Sequence, residues 1–167
     1  MRIVLGELDG RDTPRRQRTV EALRRRGITV EPTDTIRTVM WTKFVFIAGF
    51  SGVGTLTRLE VGDYRAVPET RALMTRLMRE VEALARAAGV DLEGDLVDQV
   101  LAVIDGAAPA MKTSMQRDVE AGRPSELESM IGVITCKGRE LKVATPTADA
   151  TYAALLLLEL NALRNAH

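Results

Sequence analysis

The sequence has little cysteine, few aromatics and no net charge, and each shortage closes a class of explanation. One cysteine, Cys136, permits no intrachain disulfide, and His167 is the only histidine, so no Cys/His set exists to hold a metal. A reducing, cytoplasmic setting is the corresponding expectation. The aromatics are Trp41, Phe44, Phe46, Phe50, Tyr64 and Tyr152, which argues against a sheet-rich sandwich or a base-stacking surface. Basic and acidic residues balance at 23 each, so nothing draws the chain generally to nucleic acid or to an anionic membrane. The longest unbroken apolar run, residues 153–158, falls far short of the ~20 residues of a membrane span. The first seven residues are too soon charged for a signal peptide.

What is present points to helices. The 167 residues are 46% hydrophobic, enough to bury a core and too apolar for disorder, and Ala, Leu, Met and Arg dominate. Residues 3–5 form a β-prone run closed by Gly6 and the turn dipeptide Asp9-Gly10. Thr13-Pro14 then reads as a cap and first helical position, with Val20 and Leu23 facing inward and Gly27 as the stop. A second extended stretch at 28–30 ends at Pro32. Strand, helix and strand in about 30 residues make one βαβ unit, which normally belongs to a larger parallel sheet. Two strands alone are marginal in water.

From Asp34 onward the pattern is helical. A long helix is predicted over 35–57, where Gly49, Gly52 and Gly54 allow either close backbone approach or a break. Further helices are predicted from Pro68 to a stop at Gly89, over 93–105, and over 113–120. Another opens at Ser125-Glu126-Leu127-Glu128, which has capping-box spacing, with Leu127, Met130, Ile131, Ile134, Gly138 and Leu141 as its buried stripe. A last helix follows Thr145-Pro146 and runs through Asn161. The expectation is a βαβ unit at 1–32 and an all-α domain of five or six helices at 33–167.

Few residues in this pattern stand out chemically. Lys43 lies in the otherwise apolar Trp41-Thr42-Lys43-Phe44-Val45-Phe46-Ile47; it is either a general acid or Schiff-base amine, or a side chain whose stem snorkels to water, and composition alone prefers the last. Lys43, Ile47 and Ser51 share one helix face, and Ser114 and Asp118 lie one turn apart. Glu126 sits at a helix N-terminus, where the dipole favours its ionised form. The arginines at 15, 16, 18, 24, 25 and 26 read as a solvated helix face rather than a phosphate site. Cys136 reads as core or ordinary surface.

These residues carry a family resemblance. Trp41-Thr42-Lys43-Phe44-Val45-Phe46, then Gly52-Val53-Gly54-Thr55-Leu56-Thr57, resembles the opening of the C-terminal domain of ketopantoate reductases (2-dehydropantoate 2-reductases). Thr113-Ser114-Met115-Gln116-Arg117-Asp118, Gly122-Arg123-Pro124-Ser125-Glu126-Leu127 with Gly132, and Ala144-Thr145-Pro146-Thr147 are similar to later motifs of that domain. Val4-Leu5-Gly6-Glu7-Leu8-Asp9-Gly10 resembles the end of the family's nucleotide-binding domain.

The resemblance implies a mainly α fold of the 6-phosphogluconate dehydrogenase C-terminal-like type, preceded by the βαβ remnant of a Rossmann domain. It implies reduction of 2-dehydropantoate or a related 2-oxo acid by NADPH, as in pantothenate biosynthesis; the unpaired sheet edge and the apolar helices separately predict a homodimer. Lys43 and Glu126 match the catalytic lysine and glutamate; Ser114, Ser51 and Asp118 fall among the substrate-binding positions. Ile47, Ser51 and Ile131 stand where the family usually has asparagines. No Gly-rich dinucleotide loop is present, so this chain alone is not expected to bind NADPH tightly or to turn over. The alternative is a non-catalytic helical module acting by self-association or partner binding; neither reading involves nucleic acid or membrane.

Overall fold

The computed structural model describes residues 2–165. The chain is mainly helical and divides into two compact units, 1–41 and 42–167.

In the first unit β1 (Arg2–Leu5) and β2 (Thr29–Pro32) form a parallel pair, Ile3 opposite Val30 and Leu5 opposite Pro32, joined through α1 (Pro14–Arg25). The βαβ expectation holds. Thr13 caps α1 by accepting from the Arg16 amide at 3.1 Å, with Pro14 in the first turn where its missing N–H costs nothing. Strand β2 runs farther than predicted: Pro32 is its last paired residue rather than the point where it stops, as an edge strand permits. Gly10 has a φ of 75°, and a Cβ there would lie 2.7 Å from the Asp34 carbonyl oxygen.

The second unit is organised around α2 (Ile36–Thr57), whose first turns lie in the first unit. Among the described residues it is the one helix long and apolar enough to cross a membrane by length and composition, with mean hydropathy 1.4 over its best 18-residue window. Interrupted apolar residues reach this where no unbroken run does. Nine of its residues between Val45 and Thr55 are buried in the protein, which marks it as a core helix. The glycines produce close approach, and the helix runs through them unbroken. A Cβ at Gly52 would meet Leu77 at 2.5 Å and Ile131 at 3.3 Å, one at Gly54 would meet Gln116 at 2.8 Å, and one at Gly49 would overlap Met78.

Around α2 lie α3 (Val61–Ala66), α4 (Pro68–Ala87), α5 (Leu96–Asp105), α6 (Ser114–Glu120), α7 (Val133–Leu141) and α8 (Pro146–Asn165). Helix α4 buries Met74, Leu77, Met78, Val81, Leu84 and Ala85 along one face. Helix α3 adds to the predicted set. Its first amides are held from a distance, Val61 N–H by the Met111 carbonyl (3.1 Å) and Gly62 N–H by that of Pro109 (2.9 Å). Helix α5 begins three residues later than predicted, and α8 extends four residues farther.

The segment before α7 is a π turn, Glu128–Gly132. The predicted capping box forms only in part. Ser125 Oγ accepts from the Leu127 amide at 3.2 Å, whereas the Glu128 carboxylate turns away to receive the Tyr152 hydroxyl at 2.6 Å. Helix α8 likewise begins on a distant acid: the Thr147 and Ala148 amides donate to Glu80 at 2.7 and 2.8 Å.

Candidate functional site

Lys43 projects from the second unit's first helical turn and is exposed, making no ion pair among the described residues. One turn on, Ile47 is half-buried; two turns on, Ser51 is 3% exposed. The face that carries these three positions therefore descends from solvent into the core. Ser51, expected at the substrate, is enclosed by packing. On the adjoining side Phe46 and Phe50 approach with ring centroids 5.6 Å apart, and Phe50 meets Tyr64 at 6.4 Å. Burial pushes the Tyr64 phenol up, and its hydroxyl donates to the Phe50 carbonyl at 3.3 Å.

Ser114 opens α6 and is exposed; Thr113 caps that helix by accepting from the Gln116 amide at 3.2 Å. Gln116, wholly buried, anchors α6 against the bare backbone of Gly54. Its Nε2 donates to the Leu59 carbonyl and to Glu120, both at 2.9 Å. That amide, followed by the Lys112 ammonium, holds the Glu120 carboxyl below the usual carboxylate range. Asp118 is half-buried and receives Arg123 at 2.6 Å, so its carboxylate braces the loop that leads to Glu126.

Glu126 is exposed at the entrance to the π turn. Its carbonyl accepts from the Met130 amide at 2.9 Å and the Ser129 hydroxyl at 3.2 Å, while its side chain faces outward. A π turn inserts one residue and displaces the side chains beside it, and such turns collect at functional sites. Here the extra residue brings Glu128 over Gly132, where a Cβ would stand 2.7 Å from Glu128 Oε2. The Glu128 hydrogen bond, then burial, pushes the Tyr152 phenol up.

Helix α2 is the common neighbour of these parts, meeting α6 at Gly54 and the π turn at Gly52. Lys43 stands about 14 Å up the helix axis from Gly52. Among the described residues no hydrogen bond joins Lys43, Ser114 and Glu126 directly. Sequence reading passed over Glu159 of α8, which is 5% exposed and receives the Ser125 amide and hydroxyl. A signal existed: Ala148, Thr151, Leu155 and Ala162 form a helical stripe into which 159 falls.

Four of the five arginines of α1 are tied within the first unit. Arg15 pairs with Glu7, Arg16 with Asp12 and Arg25 with Glu21, while Arg24 donates to the Val30 carbonyl. Cys136 is exposed, and no group of three metal-ligating side chains gathers among the described residues. His167 lies outside the described residues.

Comparison with known proteins places the geometry. Residues 35–159 match the family model described as "Ketopantoate reductase PanE/ApbA C terminal". The 2-dehydropantoate 2-reductase of Mesorhizobium japonicum is 30% identical over 152 residues, covering 91% of this chain and 46% of the relative. The crystal structure of 2-dehydropantoate 2-reductase from Methylococcus capsulatus superposes with a TM-score of 0.84 at 33% identity, covering 96% of this chain and 55% of that one. A ketopantoate reductase from Staphylococcus aureus, described as dimeric, shares the fold at a TM-score of 0.87 and 24% identity, over 96% of this chain and 54% of that one. The chain spans about half the length of the curated relatives it matches.

Proposed function

Because the chain belongs to the ketopantoate reductase family, as its C-terminal domain, we propose that it supplies the proton donor and the substrate contacts for NADPH-dependent reduction of 2-dehydropantoate or a related 2-oxo acid. The observation that carries this reading is Lys43: an exposed ammonium on a core helix, with an apolar residue one turn away and, among the described residues, no carboxylate pairing it. A cation so placed is free to meet a 2-oxo acid. Its Nζ–H donates to the ketone oxygen and gives up a proton as alkoxide charge develops there. Glu126 orients substrate and lysine, and Ser114 at the start of α6 offers a hydroxyl to the substrate. Asp118 supports the same region through Arg123. Ser51 contributes from inside the core, by packing.

The glycines of α2 do not cradle a dinucleotide. Gly49, Gly52 and Gly54 lie within α2 with their open faces filled by Met78, Leu77 and Gln116, so they form no phosphate-cradling loop. In this reading, hydride delivery falls to a nucleotide-binding half that this chain does not span.

The test joins this chain in frame to the nucleotide-binding half of the Methylococcus capsulatus reductase and follows NADPH absorbance with 2-dehydropantoate. The fusion is expected to turn over, and Lys43→Ala to lower kcat by ~10²- to 10⁴-fold. An unchanged rate in that variant, or turnover by the isolated chain, overturns the reading.

Self-association is a second, compatible reading, and the outer face of α8 favours it. Leu157 is 69% exposed, with Leu160 and Leu163 exposed along the same helix. Sedimentation at micromolar concentration is expected to show a dimer that Leu157→Glu weakens.

A further inference from the structure

Helix α8 turns a continuous stripe inward: Ala148, Thr151, Leu155, Glu159 and Ala162 are all buried. Four of these are small or apolar or bear a lone hydroxyl. The fifth is a carboxylate, which is costly to bury unless its oxygens are hydrogen-bonded. Glu159 forms no ion pair among the described residues, and the hydrogen bonds it receives come from one residue. The Ser125 amide donates to Oε1 at 2.9 Å and Oε2 at 3.1 Å, and the Ser125 hydroxyl donates to Oε2 at 2.6 Å. The same hydroxyl oxygen accepts the Leu127 amide at 3.2 Å. One carboxylate therefore fixes the backbone on both sides of Glu126, directly before it and through Ser125 after it.

The molecule contains its own contrast. Glu80 of α4 also offers a two-oxygen carboxylate to a helix start, but its partners are the first amides of α8, with no candidate site residue between them. Glu80 caps a helix. Glu159 brackets Glu126, the acidic residue matched to the family's catalytic glutamate.

We infer that Glu159 is a positioning residue: its buried carboxylate, acting through Ser125, holds the segment 125–127 so that the Glu126 side chain is aimed at the reacting centre. The role of Glu126 in this inference rests on the reductase reading above; the clamp itself does not. A carboxylate displaced by an ångström from its working place costs catalysis far more than it costs folding.

Two measurements test it. In the isolated chain, Glu159→Gln and Ser125→Ala are expected to speed hydrogen exchange at the 125 and 127 amides at least ~10-fold, leaving the core amides of α4 unchanged. In the fusion described above, both variants are expected to lower kcat by ~10- to 100-fold with KM little changed, whereas Glu80→Gln lowers thermal stability and leaves kcat alone. The decisive arm is a double-mutant cycle. Glu159→Gln added to Glu126→Ala is expected to cost nothing further, since the group being aimed is already gone.

An undiminished kcat in Glu159→Gln overturns the inference while leaving the reductase reading in place. So does the same fold-loss with and without Glu126, which would mark Glu159 as a general structural residue. Unchanged exchange at 125 and 127 overturns the clamp. A wild-type fusion without turnover overturns the reductase reading and the positioning role together, while the exchange result still stands for the clamp.

Discussion

The first unit is a βαβ pair whose apolar residues stay largely at the surface: among the described residues only Val20 and Val30 are buried there, and Ile3, Val4 and Leu5 are half-buried. Polar ties do the rest, with Arg2 bridging to Glu31 at 2.5 Å, Thr13 donating to Glu7 at 2.5 Å, and Arg16 joining Asp12 to the Thr33 carbonyl. The second unit encloses Leu77, Met78, Leu84, Ile104, Leu127, Ile131 and Ile134 almost completely. Exposed ion pairs contribute about 0–1 kcal/mol each, whereas a fully buried aliphatic side chain contributes about 1.5–3 kcal/mol. Stability therefore resides in the helical unit, and so do all five candidate site residues. The proposed proton donor, Lys43, is thus carried by the part with its own core.

The comparison breaks most readily in the core. Leu77→Ala is expected to destabilise the helical unit by about 2–5 kcal/mol, read by urea denaturation with helical circular dichroism. Val30→Ala is expected to shift that transition by no more than ~1 kcal/mol; equal shifts would refute the division of labour. Next, Glu80→Ala removes the acid that receives the first amides of α8 and is expected to cost about 1–2 kcal/mol in the same assay.

The smallest effect probes whether the second unit's surface behaves like the first unit's. Arg71 grips Asp105 at 2.6 and 2.7 Å, and the Arg71 hydrogen bonds hold the Asp105 carboxyl below the usual aspartate range. A depressed folded-state pKa means stabilisation that is complete above the ordinary aspartate value and lost as pH falls through the lower, folded one. Asp105→Asn is expected to cost less than ~1 kcal/mol at neutral pH, with the gap to wild type closing in acid and in high salt.

Much of this architecture could be read from residue order. The long apolar helix with its three glycines, Pro68 opening α4 and most of the stripe of the 127–141 segment follow from local chemistry, although Met130 and Leu141 of that stripe are only half-buried. Helix α3 did not, because it has no side-chain cap and is held by carbonyls at 109 and 111, nearly fifty residues away in sequence. The π turn was hidden for another reason: Leu127, Ile131 and Ile134 suit an ordinary helix equally well, and only the packing of Glu128 and Gly132 against Tyr152 marks the inserted residue. At the site, the family motifs named Lys43 and Glu126 by position. No local pattern disclosed that Ser51 lies inside, or that Glu159, thirty-four residues from Ser125, holds the loop. Spacing along a chain records which face a side chain takes, and says nothing of what arrives opposite it.

The three glycines of α2 have a mechanical consequence. Met78, Leu77 and Gln116 come from two different helices and press against bare backbone at 49, 52 and 54. A rod notched at three heights and engaged at each can neither slide nor turn. Lys43 lies on the same rod, about 9 Å from the nearest notch. Where its ammonium stands in the helical unit is thus dictated by residues that have no side chains, and a methyl group added at Gly52 would misplace the proposed proton donor without touching it.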